Sequence, residues 1–432
     1  MVKRKPSKQV QTKKIKVLAY CDSPTCATGF GTVSRNIFEA LHNTGRYEID
    51  ILGINYWGDP HPLPYRIWPT GINGDKDPYG RRKVASMIPQ MQYDILFLLQ
   101  DTFILEFMPT LFTQLKTIGK EFKSICYFPI DGTPKTQWID NVNNADELVA
   151  YSQFGADAAM AAQPNCKELH IIPHGANVND FKPLPQEEVK AFRKQYFGVH
   201  STKFIVTNLN RNQHRKDIPR TIAAFKKFRE TVPESVLYLH MAPNDQGWNL
   251  PEVCKAYGFN TTEDVIFPEN FGPNQGYPRE VVNMIYNASD LVVSTTLGEG
   301  WGLSWVEAMA TKTPVLMPNN TAITENISKD KGYLCDSGTS VALTTVLAND
   351  NEVIRSLVDV EDMAMKMVHI YNNYEEALEK ADVAYNWVHD SLNWQGNVGK
   401  QWVDLFDKTY ASLIEEKVSG VSSNKVIKAE SF

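Results

Sequence analysis

The sequence lacks long apolar runs and has no surplus of positive charge. None of its 432 residues lie in an apolar stretch approaching the roughly 20 residues that a membrane-spanning helix needs. Its 50 acidic residues outnumber its 44 Lys and Arg residues, giving a net charge of -6, so wholesale electrostatic wrapping of nucleic acid is excluded although a local basic patch is not. The basic segment 1–14 precedes a strand-like segment and not the apolar stretch of a signal peptide, so we expect a cytoplasmic protein.

Cysteine is also scarce, and its six copies are scattered along the chain. Most lie in or beside apolar strands, which is typical of reduced core thiols and not of a disulfide framework. Cys21 and Cys26 are close together, but neither a His nor a second Cys pair follows nearby, so we expect no zinc site. We also expect no cofactor.

What the sequence does contain is a repeated alternation of apolar strands and helix-like segments. A chain of this length, with 43% hydrophobic and 22% charged residues, can form two hydrophobic cores. The alternation predicts open parallel sheets covered by helices on both faces, with ligands at the carboxyl ends of the strands. In the first half, predicted strands end at Asp22, Asp101, Asp131 and His174.

The segment 295–311, TTLGEGWGLSWVEAMAT, is the most informative stretch. A β-branched strand leads into it, and a helix begins within it, so the turn presents free amide groups and the positive end of a helix dipole, which suits a phosphate. Glu299 in the loop and Glu307 in the helix could hold hydroxyl groups on either side of that phosphate. The pattern alone also fits an ordinary α/β turn with a solvated acid. Three glycines would let the backbone approach a ligand closely: Gly298, Gly300 and Gly302.

This string resembles the Glu-x7-Glu signature, often EGFGLxxxEAMA, of the large retaining glycosyltransferase family that includes sucrose synthases and bacterial lipid mannosyltransferases. Trp301 stands where that family often has Phe. The resemblance implies two facing Rossmann-like domains, the GT-B arrangement, with a nucleotide sugar held mainly by the second domain. It also implies a retaining, metal-independent hexosyl or pentosyl transferase whose donor is linked to UDP or GDP.

The basic loop after the strand at 204–209 resembles the Gly-Arg-x(n)-Lys-Gly segment of the same family. The matching residues are Arg211 and Lys216, which would clamp the donor diphosphate, and Arg215 is an alternative for either role. Asn210 and Asp217 replace the two glycines. A solvated basic loop is the other interpretation.

The resemblance also implies roles for the remaining donor residues. Glu299 would contact sugar hydroxyls and Glu307 the ribose. Many members have a His near the reacting carbon, where this chain has FPIDG, so Asp131 is the candidate there and a structural turn Asp is the alternative. The backbone and side-chain positions expected at the donor are Gly29, Gly31, Gly300, Trp301, Gly302, Leu303 and Ser304.

The predicted organisation is a disordered basic tail at 1–14, an acceptor domain at 15–200, a donor domain at 201–390, a helix returning to the first domain at 391–414 and a flexible tail at 415–432. The acceptor stays open between a glycan, a lipid, a protein and hydroxymethylated nucleic acid. Aromatic and basic residues in the loops at 55–83 could stack on sugars or bases, or could form a folded structural loop. The alternatives to a glycosyltransferase are an epimerase or phosphorylase on the same fold, and a non-catalytic nucleotide-sugar-binding protein.

Overall fold

The structure is a computed structural model that describes residues 13–272 and 276–429, with side chains described as far as residue 419. The predicted tail 1–14 lies almost entirely outside the described residues. Among the residues described, no helix combines the length and apolar character needed to cross a bilayer.

The first domain contains a seven-stranded parallel sheet with the order β3-β2-β1-β4-β5-β6-β7. Its strands are β1 Ile15–Asp22, β2 Tyr47–Ile54, β3 Arg66–Pro69, β4 Ile95–Leu99, β5 Lys123–Phe128, β6 Glu147–Ala150 and β7 Leu169–Ile171. Along β1, Val17 and Ala19 join the hydrophobic cluster on one face, whereas Leu18 and Tyr20 join the cluster on the other. Because both faces are covered, this strand is a continuous apolar run and shows no alternation with polar residues.

The second domain contains a six-stranded parallel sheet with the order β10-β9-β8-β11-β12-β13. A separate antiparallel hairpin, β14 paired with β15, follows this sheet in the chain. The strands are β8 Phe204–Leu209, β9 Ser235–His240, β10 Val265–Ile266, β11 Leu291–Val293, β12 Val315–Pro318, β13 Tyr333–Cys335, β14 Thr344–Val346 and β15 Ile354–Ser356. The two parallel sheets confirm the predicted fold class of two Rossmann-like α/β domains.

The helices cover these sheets and connect their strands. Those of the first half are α1 Gly29–Asn43, α2 Arg81–Met87, α3 Met108–Thr117, α4 Thr136–Asp140, α5 Gln153–Ala162 and α6 Gln186–Phe197. Those of the second half are α7 Ile218–Thr231, α8 Leu250–Ala256, α9 Arg279–Ala288, α10 Leu303–Ala310, α11 Ile323–Asn326, α12 Val360–Asn372, α13 Tyr374–Ser391 and α14 Gly399–Ala429. Short 3-10 turns lie at Gly198–His200, His214–Lys216 and Val341–Leu343, and a π-helical turn lies at Trp394–Val398.

Two helices cross the expected domain limits. Helix α6 precedes residue 201, yet Phe197 at its end packs in a cluster with Ile205 and Tyr238 of the second domain. Helix α14 lies against the first domain, where the ring of Trp402 meets Phe97 edge-on at 5.6 Å. The structure describes this helix as far as Ala429, beyond residue 415, where the sequence predicts a flexible tail.

Candidate active site

The glycine turn between β11 and α10 lies at the cleft between the two domains. Gly302 has φ 105°, and a side chain there would collide with the ring of Trp305. A side chain at Gly298 would collide with the backbone carbonyl of Asp131 in the first domain. Glycine is therefore required at one position by the backbone conformation and at the other by the close approach of the two domains.

The first amide groups of α10 face this turn without a side-chain cap. Helix α1 of the first domain differs, because the Thr28 hydroxyl accepts a hydrogen bond from the Gly31 amide at 3.0 Å. Uncapped amides at a helix N-terminus can bind an anion together with the helix dipole. Trp301, Leu303 and Ser304 lie at this N-terminus, where the sequence predicts the phosphate.

Glu299 is the centre of a charged cluster in the turn. The Lys216 amine donates to its carboxylate, the Thr296 hydroxyl donates to Oε1 at 2.8 Å, and Arg215 Nη1 lies 3.3 Å from the same oxygen. Burial opposes the charge of Glu299, but Lys216 and Arg215 outweigh it and lower its pKa to about 2. The site thus holds an ionised carboxylate between two cations.

The structure brings Arg215 and Lys216 to Glu299 but directs Arg211 elsewhere. Arg211 Nε donates to Asp245 at 2.7 Å within the second domain. Arg215 instead contacts the glycine turn. It lies in the short 3-10 helix His214–Lys216, and the Leu297 amide donates a hydrogen bond to the Arg215 carbonyl at 2.9 Å. Asp217 ends this turn at φ 44°, a left-handed conformation that glycine adopts freely and that Asp tolerates.

Glu307 lies on α10 and is half-buried. Burial raises its pKa to about 7, although a hydrogen bond donated by the Tyr286 hydroxyl at 3.2 Å acts in the opposite direction. A carboxyl group with this pKa changes charge near neutral pH. Its protonation can therefore be linked to ligand binding.

Three aspartates of the first domain follow the neighbouring strands β1, β4 and β5 at the cleft. Asp22 accepts hydrogen bonds from the Thr28 hydroxyl at 2.7 Å and the Gln100 amide at 3.4 Å. Burial, followed by the charge of Asp131, raises the pKa of Asp101 to about 7. Asp131 is paired with Arg215 at 3.4 Å and so faces the charged cluster of the second domain.

The two glycines of the first glycine loop have different surroundings. Gly29 is exposed, and a side chain there would lie 3.7 Å from Leu303 Cδ1, at the start of α10. Gly31 is buried, and a side chain there would lie 2.7 Å from the Cys26 carbonyl and 2.8 Å from that of Ser23. Gly29 therefore faces the predicted donor position, whereas Gly31 is explained by the packing of its own loop. Gly300 also lies at the domain boundary, where the Cβ atom of a side chain would be 3.2 Å from Pro129 Cβ.

For the aromatic and basic residues at 55–83 the sequence leaves two interpretations open, a stacking surface and a folded structural loop. Tyr65 is buried against Phe38, with ring centroids 6.0 Å apart. Arg66 forms a two-point ion pair with Asp50, at 2.7 and 2.8 Å. Trp57 stays 69% exposed. Tyr65 and Arg66 therefore have structural partners within the first domain, as the second interpretation expects.

Arg355 is the cleft residue that the sequence does not indicate. It lies on the hairpin strand β15, and its guanidinium contacts Asp131 across the cleft. It lies in the segment NDNEVIRS, and an arginine in a short strand has no distinctive sequence pattern. Within the described residues, no group of three or more His, Cys, Asp or Glu side chains is arranged to hold a metal ion.

The two Rossmann-like domains and the cleft between them define the class of fold as GT-B. The sucrose-phosphate synthase of Thermosynechococcus elongatus matches with a TM-score of 0.71 at 17% identity, over 93% of this chain and 100% of that chain. Anabaena HepE, solved in complex with UDP-glucose, matches with a TM-score of 0.67 at 15% identity, over 91% of this chain and 100% of that chain. At these identities the likeness establishes the fold.

Residues 189–350 match the family model described as Glycosyl transferases group 1, and this segment contains both the basic loop and the glycine turn. The D-inositol 3-phosphate glycosyltransferase of Corynebacterium kroppenstedtii is 24% identical over 259 residues, 55% of this chain and 55% of that protein. The alpha-monoglucosyldiacylglycerol synthase of Streptococcus pneumoniae is 24% identical over 235 residues, 50% of this chain and 51% of that protein. The chain thus spans about half the length of the curated relatives it matches. The match supports a relationship to group 1 glycosyltransferases in the segment that carries the charged cluster.

Proposed function

We propose that this protein is a retaining glycosyltransferase that moves a sugar from a nucleotide-sugar donor to a hydroxyl group of an acceptor. The observation that carries the proposal is the convergence of Lys216 and Arg215 on Glu299, beside the uncapped N-terminus of α10. Cations and free amide groups that converge at one point can bind a diphosphate, and a carboxylate between them can accept hydrogen bonds from sugar hydroxyls.

In this structure Arg215 and Lys216 are paired with Glu299. We expect a bound donor to replace these pairs, so that Arg215 and Lys216 contact its diphosphate and Glu299 accepts hydrogen bonds from the sugar hydroxyls. Arg215 replaces Arg211 in this role, because Arg211 is held by Asp245. Such preorganised charge stabilises a departing diphosphate by several kcal/mol without a bound metal ion, and removing one such group typically costs on the order of a hundredfold in rate.

We propose a UDP-linked hexose as the first donor to test and a GDP-linked hexose as the second. HepE was solved with UDP-glucose, and its fold covers nearly this whole chain. Glu307 would accept hydrogen bonds from the ribose, and the amides near Trp301, Gly302 and Leu303 would bind the phosphate and the sugar. The relatives named for inositol phosphate and for diacylglycerol glycolipids direct the acceptor screen toward polyols and lipid carriers, with glycans, proteins and hydroxymethylated DNA also included.

The proposed stereochemical course is the retaining one, as the resemblance of the glycine turn to the Glu-x7-Glu family implies. We propose that the acceptor attacks on the face from which the diphosphate departs, with the phosphate helping to take the acceptor proton. In that course Asp131 orients the sugar or the acceptor, and Asp131→Asn should lower turnover moderately. An inverted product measured by NMR, together with an inactive Asp131→Asn protein, would instead make Asp131 the general base of a direct displacement.

The experiment is a panel of UDP- and GDP-sugars incubated with the protein, with donor hydrolysis measured first with EDTA and then with added magnesium ions. We expect one donor to be hydrolysed slowly in both conditions and transferred once an acceptor from the screen is supplied. Nucleotide binding without turnover of any donor would favour a non-catalytic nucleotide-sugar-binding protein. Interconversion of the free donor sugars would favour an epimerase.

A further inference from the structure

The hairpin β14–β15 belongs to the second domain in sequence but contacts the first domain. Glu352 in its loop pairs with Lys135 at 2.7 Å. The side chain of Val353 lies so close to Gly132 that a Cβ atom there would be 2.9 Å from Val353 Cγ1. The hairpin therefore rests on the loop 129–135, which follows β5 and contains Asp131.

Arg355 on this hairpin is buried, with 5% of its side chain exposed. Its Nη1 atom donates to the Asp131 carbonyl at 2.7 Å and to Asp131 Oδ1 at 2.9 Å. Its Nε and Nη2 atoms donate to Asp350 at 2.7 and 3.0 Å. A buried guanidinium is costly unless its donors are paired, so Asp350 and Asp131 together set its orientation.

Asp131 in turn connects Arg355 to the charged cluster. Its Oδ2 atom lies 3.4 Å from Arg215 Nε, and Arg215 continues to Glu299. Gly298 of the glycine turn lies against the same point, because a Cβ atom there would be 3.3 Å from Arg355 Nη1. The guanidinium of Arg355 thus lies between the loop 129–135 of the first domain and the glycine turn of the second domain.

We propose that Arg355 is a positioning residue that holds Asp131 against the charged cluster only when the hairpin is seated on the first domain. The inference rests on the proposed function for its catalytic consequence, but the seating of the hairpin is independent of it. Arg355 acts through Asp131 and not on the nucleotide.

The test compares Arg355→Ala and Arg355→Lys with a matched control, Glu352→Gln, which removes an exposed ion pair of the same hairpin without touching Asp131. With the best donor of the panel, Arg355→Ala should lower kcat by about tenfold or more, because a misplaced group at a reacting site costs on this scale. Its affinity for UDP, measured by calorimetry, should stay within about twofold of the wild type. Arg355→Lys should recover part of kcat, since it keeps the charge but not the planar fork.

The double variant Arg355→Ala with Asp131→Asn identifies the route of the effect. If Arg355 acts through Asp131, the double variant should be no slower than the slower of the two single variants, whereas independent roles would give multiplied losses. Multiplied losses, or an Arg355→Ala protein with full kcat while the wild type is active, would overturn the inference and leave the proposed function intact.

Hydrogen exchange supplies a measurement that needs no substrate. Amides of the loop 129–135 should exchange faster in Arg355→Ala than in the wild type, and Glu352→Gln should change them little, because the Arg355 contact is the buried one. Unchanged exchange in Arg355→Ala would refute the seating of the hairpin even if no donor is found. A wild type that hydrolyses none of the donors would refute the proposed function alone.

Discussion

Substitution of Glu307 tests the site most directly. We expect its carboxylate to favour nucleotide binding and to destabilise the folded protein. Burial raises its pKa from 4.5 to about 7, so the folded protein prefers the neutral carboxyl group. This raised value means that the unfolded chain ionises at a lower pH than the folded protein. The destabilising contribution is therefore absent below pH 4.5, grows between pH 4.5 and 7, and is complete above pH 7.

The expected size of this contribution follows from the two pKa values. The difference between 4.5 and about 7 corresponds to roughly 3 kcal/mol at its full value. Glu307 is only partly buried overall, so solvent screening reduces the expected contribution to about 1–2 kcal/mol. Glu307→Gln keeps the shape and the hydrogen bond from Tyr286 but cannot ionise, so the variant should be more stable than the wild type by this amount at pH 8 and by less at pH 5.

The assay is urea denaturation followed by tryptophan fluorescence at both pH values, with UDP affinity measured by calorimetry on the same proteins. Glu379→Gln, at an exposed position of α13, is the matched control and should not change stability differently at the two pH values. If Glu307 binds the ribose, the variant should bind UDP about tenfold more weakly at pH 8, because a neutral amide replaces the charged carboxylate as the hydrogen-bond acceptor. Equal stability changes at both pH values would refute the buried carboxyl group, and unchanged UDP affinity would remove Glu307 from the nucleotide site.

Three further predictions test other parts of the site. Lys216→Ala should depress turnover by roughly a hundredfold or more, because it removes a cation from the leaving diphosphate. A turnover rate within a few-fold of wild type, measured with saturating donor, would contradict this role. Gly298→Ala should destabilise the protein by about 1–3 kcal/mol in urea denaturation and lower kcat, because the new methyl group meets the Asp131 carbonyl. Unchanged stability and kcat would contradict the collision at Gly298. Deleting residues 1–14 should lower activity at low salt and little at high salt if the basic tail steers a polyanionic acceptor, and equal salt profiles of the two proteins would exclude that role.

The fold, and the glycine turn at which the candidate site lies, could be predicted from local patterns in the chain. Both faces of each sheet are covered, so the strands appear as apolar runs that need no knowledge of their partners. Gly298 and Gly302 could be singled out for the same reason, because a close approach or a positive φ restricts the residue at that position itself. The ends of β1, β4 and β5 likewise indicated Asp22, Asp101 and Asp131 at one edge of the first sheet.

Which charged groups meet at the cleft was decided by the tertiary structure. The choice between Arg211 and Arg215 depends on a turn of three residues that directs one toward Asp245 and the other toward Glu299. Arg355 and Asp131 are 224 positions apart in the chain, and no local pattern records that the hairpin rests on the other domain.

The sequence by itself determined two Rossmann-like domains, the glycine turn and the two glutamates beside it, because backbone conformation and hydrophobic burial act over a few neighbouring residues. The tertiary structure alone decided the ionisation of those glutamates. Glu299 lies between two cations, which lower its pKa to about 2, whereas burial raises the pKa of Glu307 to about 7. Charge depends on everything that surrounds a group in space, and the neighbours that set it come from strands, loops and helices far apart in the chain.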